Sequence, residues 1–398
     1  MLSKRVLNLE ESATLAMTAK SALLKQEGKD VINLSIGEPD FDTPNFIKEA
    51  GIDAIKDNFT HYTTVPGIIE LRKAICKKLK RDNNVEYTPE QIVVSTGAKQ
   101  AITNALLALV DPGDEVIIAC PYWVSYSELV KLSEGKSVIV KATIENDFKI
   151  TPKQLEDAIT DKTKVFMLNS PCNPTGSVYT KEELKEIAKV IEKHENIYVI
   201  SDEIYEHIVF EGKHECFAQF DSIKDRVILI NGVSKGFAMT GWRLGFLAAP
   251  TKIAKACSKI QGQMTSATTS IAQKAAVAAF DADPKTMPEM NLMVSKFKER
   301  RDLLLDLLKD IPGFKTNVPQ GAFYVFVDVT HYFGKSDGKV TIKDGNDLCM
   351  YILENKYVAI VPGKAFGDPN CVRFSYATSN ENLIEAVNRI KDLLKNFK

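Results

Sequence analysis

The chain has 398 residues, 44% of them hydrophobic and 26% charged, with a formal net charge of −1. That length calls for more than one hydrophobic core, and the near-neutral balance argues against nucleic acid or an anionic membrane as the main partner. Seven scattered cysteines without a C-x-x-C pair, and five isolated histidines, point to free thiols in a reducing cytoplasm and to no metal site. The opening MLSKRVLNLEES lacks the apolar centre of a signal peptide, and no apolar run approaches the length of a membrane span, so a cytoplasmic protein is expected.

In chain order, residues 11–27 and 44–57 carry helical spacing on either side of the loop GEPDFDTP. From Ile92 to Leu247 the chain alternates short β-branched runs (QIVVS, EVIIA, SVIVKA, KVFMLNS, NIYVIS, RVILIN, LGFLAA) with amphipathic stretches such as KEELKEIAKVIEKHEN. Nearly continuous apolar runs separated by helices predict a three-layer α/β/α unit on a mainly parallel seven-stranded sheet. Beyond a long charged helical pattern over Met287 to Lys309 the order loosens to FYVFVDV, a helix near 345–355, YVAIVPG, VRFSYA and a last helix from about 380. This predicts a smaller α+β domain. With the N-terminal segment assigned to it, the expected boundaries are 45–285 for the large domain and 1–44 with 286–398 for a discontinuous small one.

Six short motifs carry the chemistry. VSTGAKQAI (94–102) reads as strand, Thr-Gly turn and helix start, where the open backbone N–H groups from Gly97 through Ala98 to Lys99 suit a phosphate, or it is only a routine glycine turn between strand and helix. Trp123 in PYWVSY offers a flat ring for stacking on a planar group, or is simply core. NSPCNPTG (169–176) presents Asn173 between two prolines, or is merely a turn. In YVISDEIY, Asp202 stands at the carboxyl end of a strand, where a carboxylate either caps the next turn or holds a proton on a ligand's ring nitrogen, with Tyr205 one turn later. In NGVSKGFAMTGWRLGF (231–246), Lys235 stands between Ser234 and a glycine, eight residues before Arg243. A lysine there is often just an exposed residue; desolvated among small and apolar groups, it loses proton affinity and becomes a nucleophilic amine, while Arg243 suits an anion. Arg373 in CVRFSYATS lies in an apolar strand and needs a partner, either a protein carboxylate or a substrate carboxylate held by its fork. A desolvated lysine, a phosphate cradle, a carboxylate, a phenol, an amide, a stacking ring and a buried arginine are together the parts of a pyridoxal phosphate site.

These motifs, with the Tyr-Thr-x-x-x-Gly run at 62–67, DPGDEV and GAFYVF, run in an order and spacing that resembles the class I aminotransferases of pyridoxal phosphate fold type I, especially the bacterial aspartate aminotransferase branch. The resemblance implies that Lys235 is the Schiff-base lysine. It implies that Asp202 pairs with the pyridinium nitrogen, Tyr205 and Asn173 with the cofactor's phenolic oxygen, and Trp123 with one ring face. Ser234, Arg243 and the backbone at Gly97 to Lys99 would hold the phosphate, and Gly37 and Arg373 the α-carboxylate of the substrate. Tyr62 would reach the phosphate of a neighbouring subunit, which implies a homodimer with shared sites. The implied reaction is ping-pong transamination between amino acids and 2-oxo acids, aspartate with 2-oxoglutarate above all, with Lys99 as the candidate cation for the distal carboxylate.

One residue departs from the pattern. Some bacterial relatives that use dicarboxylic substrates carry a basic residue two positions before the Ser-Ala-Thr of the N-terminal segment; here that position is Glu10. Aromatic, alanine or prephenate transamination and cysteine-conjugate β-elimination therefore stay open on the same fold. An effector-sensing domain of a transcription regulator would need an added DNA-binding region, which is not expected because these 398 residues have neither spare length nor a basic N-terminal domain. A dinucleotide-binding dehydrogenase would need a G-x-G-x-x-G that does not follow the first strand of the sheet.

Overall fold

The computed structural model describes residues 2–11, 13–395 and 397; Ser12, a landmark for Glu10, lies outside them. A short strand β1 (Ile32–Asn33) precedes the seven strands β2 (Ile92–Ser95), β3 (Glu115–Cys120), β4 (Lys136–Lys141), β5 (Thr163–Asn169), β6 (Tyr198–Asp202), β7 (Val227–Gly232) and β8 (Gly245–Ala248). These seven form one sheet in the order β2-β8-β7-β6-β5-β3-β4. Every neighbouring pair from β7 through β6, β5 and β3 to β4 is parallel, and β8 alone runs antiparallel, to both β7 and β2.

The seven apolar runs of the sequence are these seven strands. β7 and β8 are buried throughout, as layers on both faces require, whereas β4 at the sheet edge buries only Val140. The covering helices follow ordinary rules. Thr180 and Glu183 close a capping box at the start of Lys181–Glu192, and Leu184, Ile187, Ala188 and Ile191 recur on its buried face. Removing such side chains from water contributes on the order of 2 kcal/mol each.

The remaining strands are β9 (Lys315–Thr316), β10 (Tyr324–Asp328), β11 (Val358–Ala359), β12 (Val361–Pro362) and β13 (Cys371–Ser375). β12-β13-β10-β9 make a four-stranded antiparallel sheet, and β1 pairs in parallel with β11. The run YVAIVPG, expected as one strand, is therefore two. Val358–Ala359 pairs with the N-terminal segment, and after Ile360 the chain changes sheets, so that Val361–Pro362 pairs with β13.

The parallel strands converge at their carboxyl ends. β5 ends at Asn169, β6 at Asp202 and β7 at Gly232, while the helix Gly97–Leu109 starts just beyond β2. Ligands of open α/β sheets bind at this edge. Among the described residues no helix is long and apolar enough to cross a membrane.

Candidate active site

A cavity of about 460 Å³ opens at this edge and is lined by residues of both sheets' surroundings, among them Gly37, Lys99, Trp123, Asn173, Asp202, Tyr205, Ser234, Lys235, Arg243 and Arg373. Its size suits a cofactor-sized ligand. The segments that carried the motifs lie far apart in sequence, and the strand ends bring them to one wall.

Lys235 follows β7 and is half-buried, with its Nζ donating to the Gly37 carbonyl at 2.5 Å. The rings of Tyr205 and Phe323 lie 5.9 and 6.0 Å from the same nitrogen. Burial drives its pKa down from 10.5 to about 8; the Glu38 carboxylate opposes that fall, and Arg373 and Arg243 reinforce it. The amine thus titrates within reach of neutral pH.

Asp202 is 5% exposed. One carboxylate oxygen accepts the Tyr126 hydroxyl at 2.7 Å, and the other accepts the Ile204 N–H at 3.2 Å, so the capping reading is part of the geometry. Burial pushes its pKa up to about 6, with the Tyr126 hydrogen bond pulling the other way. Trp123 meets Tyr126 edge-on at 5.5 Å, which ties the indole to the carboxylate's partner.

Arg373 lies on β13 at 2% exposure. Its guanidinium donates to the Asn173 side-chain oxygen at 2.9 Å and to the Ser35 carbonyl at 2.7 Å, and its Nε has no hydrogen-bond partner. Among the described residues no carboxylate lies within ion-pair distance of it. The protein-carboxylate alternative is thereby removed: a buried cation facing a cavity with an unused N–H suits an anionic ligand.

The helix start at Gly97 has open backbone donors, with no side-chain cap from Thr96 and no acidic residue in its first turn. Gly97 has φ +78°, and a Cβ there would lie 2.5 Å from an Arg243 nitrogen. The Arg243 guanidinium therefore lies over the glycine, and buried Ser234 lines the same cavity. Open N–H groups, a hydroxyl and a guanidinium make an anion cradle. Lys99 stands exposed on the cavity rim, its Nζ 5.0 Å from the Trp123 ring, and burial of part of the chain and the nearby Arg243 lower its pKa.

A model of the aminotransferase class I and II family matches residues 29–390. The chain belongs to that family. The enzyme is 48% identical to a bifunctional aspartate aminotransferase and glutamate/aspartate-prephenate aminotransferase of Petunia hybrida, over 100% of this chain and 83% of that one. It superposes on the aspartate aminotransferase of Rhizobium meliloti with a TM-score of 0.96 at 41% identity, covering 100% of both chains. An aspartate aminotransferase of Thermus thermophilus solved with maleate gives 0.93 at 40% identity, covering 99% of this chain and 100% of that one.

Two residues singled out in the sequence lie away from the aminotransferase's own cavity. Tyr62 is 98% exposed and does not line the cavity. Glu10 does not line it either; its carboxylate lies 3.8 Å from Lys131 on the outer surface. Three participants were missed. Glu38 lines the cavity and accepts the Thr240 hydroxyl at 2.7 Å, but its loop GEPDFDTP reads as solvated. Tyr126 and Tyr324 sit in apolar patterns that do not separate them from core; only their inclusion in PYWVSY and GAFYVF marked them.

Among the described residues, Glu203, Glu206 and His214 bring ligand-type atoms within 4.8 Å of one another behind the site. Their oxygens already have partners. Glu203 accepts from Ser201, the Phe217 N–H and His214, and Glu206 pairs with buried Lys78 and accepts from Asn83. Burial, the largest single influence, works to raise the Glu206 carboxyl, but Lys78, His207 and His214 together outweigh it and hold it well below the usual range.

Proposed function

We propose that the cavity holds pyridoxal 5'-phosphate and that the enzyme transaminates aspartate with 2-oxoglutarate. The observation that carries this reading is the arrangement of one half-buried amine, one buried carboxylate and two separated cationic cradles around a single cavity. The residues present fit the group. The Gly97–Lys99 backbone, Ser234 and Arg243 would take the phosphate, Asp202 the ring nitrogen, Trp123 one ring face, Tyr205 and Asn173 the phenolic oxygen, and Lys235 the aldehyde carbon. When bound, such a cofactor supplies an electron sink for a proton leaving the substrate's α-carbon. Lys235 would shuttle that proton, Arg373 and Gly37 would fix the α-carboxylate, and Asp202 would keep the ring nitrogen protonated.

The activities of the relatives and the maleate in the Thermus structure support a dicarboxylic substrate. Arg373 reads a carboxylate that every amino acid carries, so the preference must come from a second cation. Lys99 is the candidate, and Glu10 lies outside the cavity where solvent screens it. Prephenate, also a dicarboxylate and named for the Petunia relative, is the second reading. We also read residues 45–285 as the large domain and 1–44 with 286–398 as the small one, supported by the confinement of the seven-stranded sheet to 92–248. A homodimer in the cytoplasm, with Tyr62 completing the neighbour's site, fits the exposed Tyr62 ring and seven free cysteines.

The test is a panel of amino donors and acceptors scored by kcat/KM, with Lys99→Ala beside the wild type. Losing one charge-assisted contact at a partly hydrated rim costs about 1.5–2 kcal/mol, or about ten- to thirty-fold. The loss should fall on aspartate and spare alanine and phenylalanine. Equal losses for all three would make Lys99 a phosphate-side residue, and a wild-type preference for aromatic donors would overturn the substrate.

A further inference from the structure

Behind the cavity wall, Tyr324 touches three residues of the proposed site without lining the cavity itself. Its hydroxyl lies 2.9 Å from that of Tyr205, its ring 4.4 Å beneath the Arg373 guanidinium, and a Cβ on Gly37 would sit 3.4 Å from its oxygen. Tyr324 starts β10 and is fully buried; Tyr205 follows β6 and is 3% exposed. The pair therefore joins the four-stranded sheet to the seven-stranded one at the site.

The two hydroxyls carry two protons but share one contact. Burial, the largest influence on both, raises their pKa values, so both phenols stay protonated. Among the described residues the Tyr324 hydroxyl bonds to Tyr205 and to no other group. If Tyr205 donated, the Tyr324 proton would be buried without an acceptor, and Tyr205 would show the cavity only a lone pair. A buried unsatisfied donor costs free energy, and a phenol has a single proton to give. With Tyr324 as donor, both protons are used: one in the 2.9 Å contact, the other free to reach an acceptor oxygen in the cavity. A chain of two such bonds also polarises its outer member, which strengthens it as a donor.

We propose that Tyr324 is a positioning residue whose hydroxyl donates to Tyr205 and so commits the Tyr205 proton to the phenolic oxygen of the bound cofactor. This rests on the reading that pyridoxal phosphate occupies the cavity with that oxygen facing Tyr205. Tyr324→Phe isolates the effect, because it keeps the ring beneath Arg373 and removes only the hydroxyl.

The experiment uses the full chain loaded with pyridoxal phosphate. It reads the pH midpoint of the visible absorption change of the lysine-bound cofactor in the wild type, Tyr324→Phe, Tyr205→Phe and the double variant. A weaker donor stabilises the deprotonated phenolic oxygen less, so the midpoint rises. Losing one modest hydrogen bond corresponds to about a two- to ten-fold rise in proton affinity for Tyr324→Phe. Tyr205→Phe should raise the midpoint at least as far, and adding Tyr324→Phe to it should do nothing more. KM for the amino donor, set by Arg373, should hardly change in Tyr324→Phe. The same shift in both backgrounds, no shift in the wild-type background, or a raised KM with an unmoved midpoint would each overturn the proposal. A wild-type chain that binds no cofactor reducible onto lysine by borohydride would instead defeat the functional reading beneath it.

Discussion

Lys235 and Asp202 are both displaced from their ordinary titration, by the same cause acting on opposite charges. Burial lowers the lysine to about 8 and raises the aspartate to about 6, because both lose their charged forms' hydration. For the lysine the sign is direct: the neutral amine attacks a carbonyl, so uptake of pyridoxal phosphate by the cofactor-free chain should accelerate as pH rises and level off above about 8. A rate still climbing steeply toward 10.5, the ordinary lysine value, would show that the amine is not desolvated. Lys235→Ala should abolish turnover and the borohydride-fixed adduct together. For the aspartate, the Tyr126 hydroxyl is the main opponent of burial. Tyr126→Phe should move the acidic limb of the kcat profile upward by about one unit, since a hydrogen bond to a charged group is lost. An unmoved limb would assign it to another group. The residues legible in sequence, Lys235, Asp202, Arg243 and Arg373, are polar groups set against apolar runs or glycine turns. Tyr126, Tyr324 and Glu38 were not legible, because two phenols in apolar patterns look like core and a loop carboxylate looks like solvated surface.

Elements converge on the proposed phosphate cradle through glycines. A Cβ on Gly245, at the start of β8, would lie 2.3 Å from the Ala98 nitrogen and 2.7 Å from the Gly97 carbonyl carbon. Those are backbone atoms of the helix start and cannot swing aside. Gly245→Ala should therefore push β8 off the helix N-terminus, costing about 1–3 kcal/mol as overpacking does and lowering affinity for the cofactor's phosphate. Gly241→Ala is the control, because nothing lies within 4 Å of its Cβ position. Thermal unfolding and cofactor titration of the two variants give the comparison; equal behaviour would remove the close approach from the account. At this scale the strands of the large sheet were readable because strands buried on both faces become uninterrupted apolar runs. Their order was not, nor was the antiparallel direction of β8, since side-chain pattern carries no information about which neighbour a strand selects. YVAIVPG was misread for a related reason: β11 and β12 are both apolar, and the change of sheet at Ile360 leaves no polar mark.

For the whole molecule, the unexplained feature is Tyr62, 98% exposed on a chain whose other apolar rings are mostly covered. Phe46, Ile52 and Ile55 of the helix Asn45–Lys56 are exposed too, as is Ile69 at the start of Ile69–Asn83. Both helices pack against Ser270–Asp281, and Tyr62 lies in the segment that connects them. Exposed apolar groups gathered on neighbouring elements mark a surface that another protein covers. In the proposed homodimer they would lie at the interface, and Tyr62 would reach the phosphate in the neighbour's cavity. A two-fold arrangement makes this reciprocal: each chain lends one tyrosine and receives one. Mixing Lys235→Ala chains with Tyr62→Gly chains separates the contributions. Neither parent dimer has an intact site, whereas each hybrid has one, built from the native Lys235 of one chain and the native Tyr62 of the other. Random reassortment places half of the dimers in the hybrid form, so activity should recover to about a quarter of the wild-type value per chain. If Tyr62 instead served its own chain, the hybrid would contain no intact site and mixing would restore nothing. An active monomer at assay concentration would contradict the sharing outright, and the hydrodynamic size of the cofactor-loaded enzyme at that concentration provides the check.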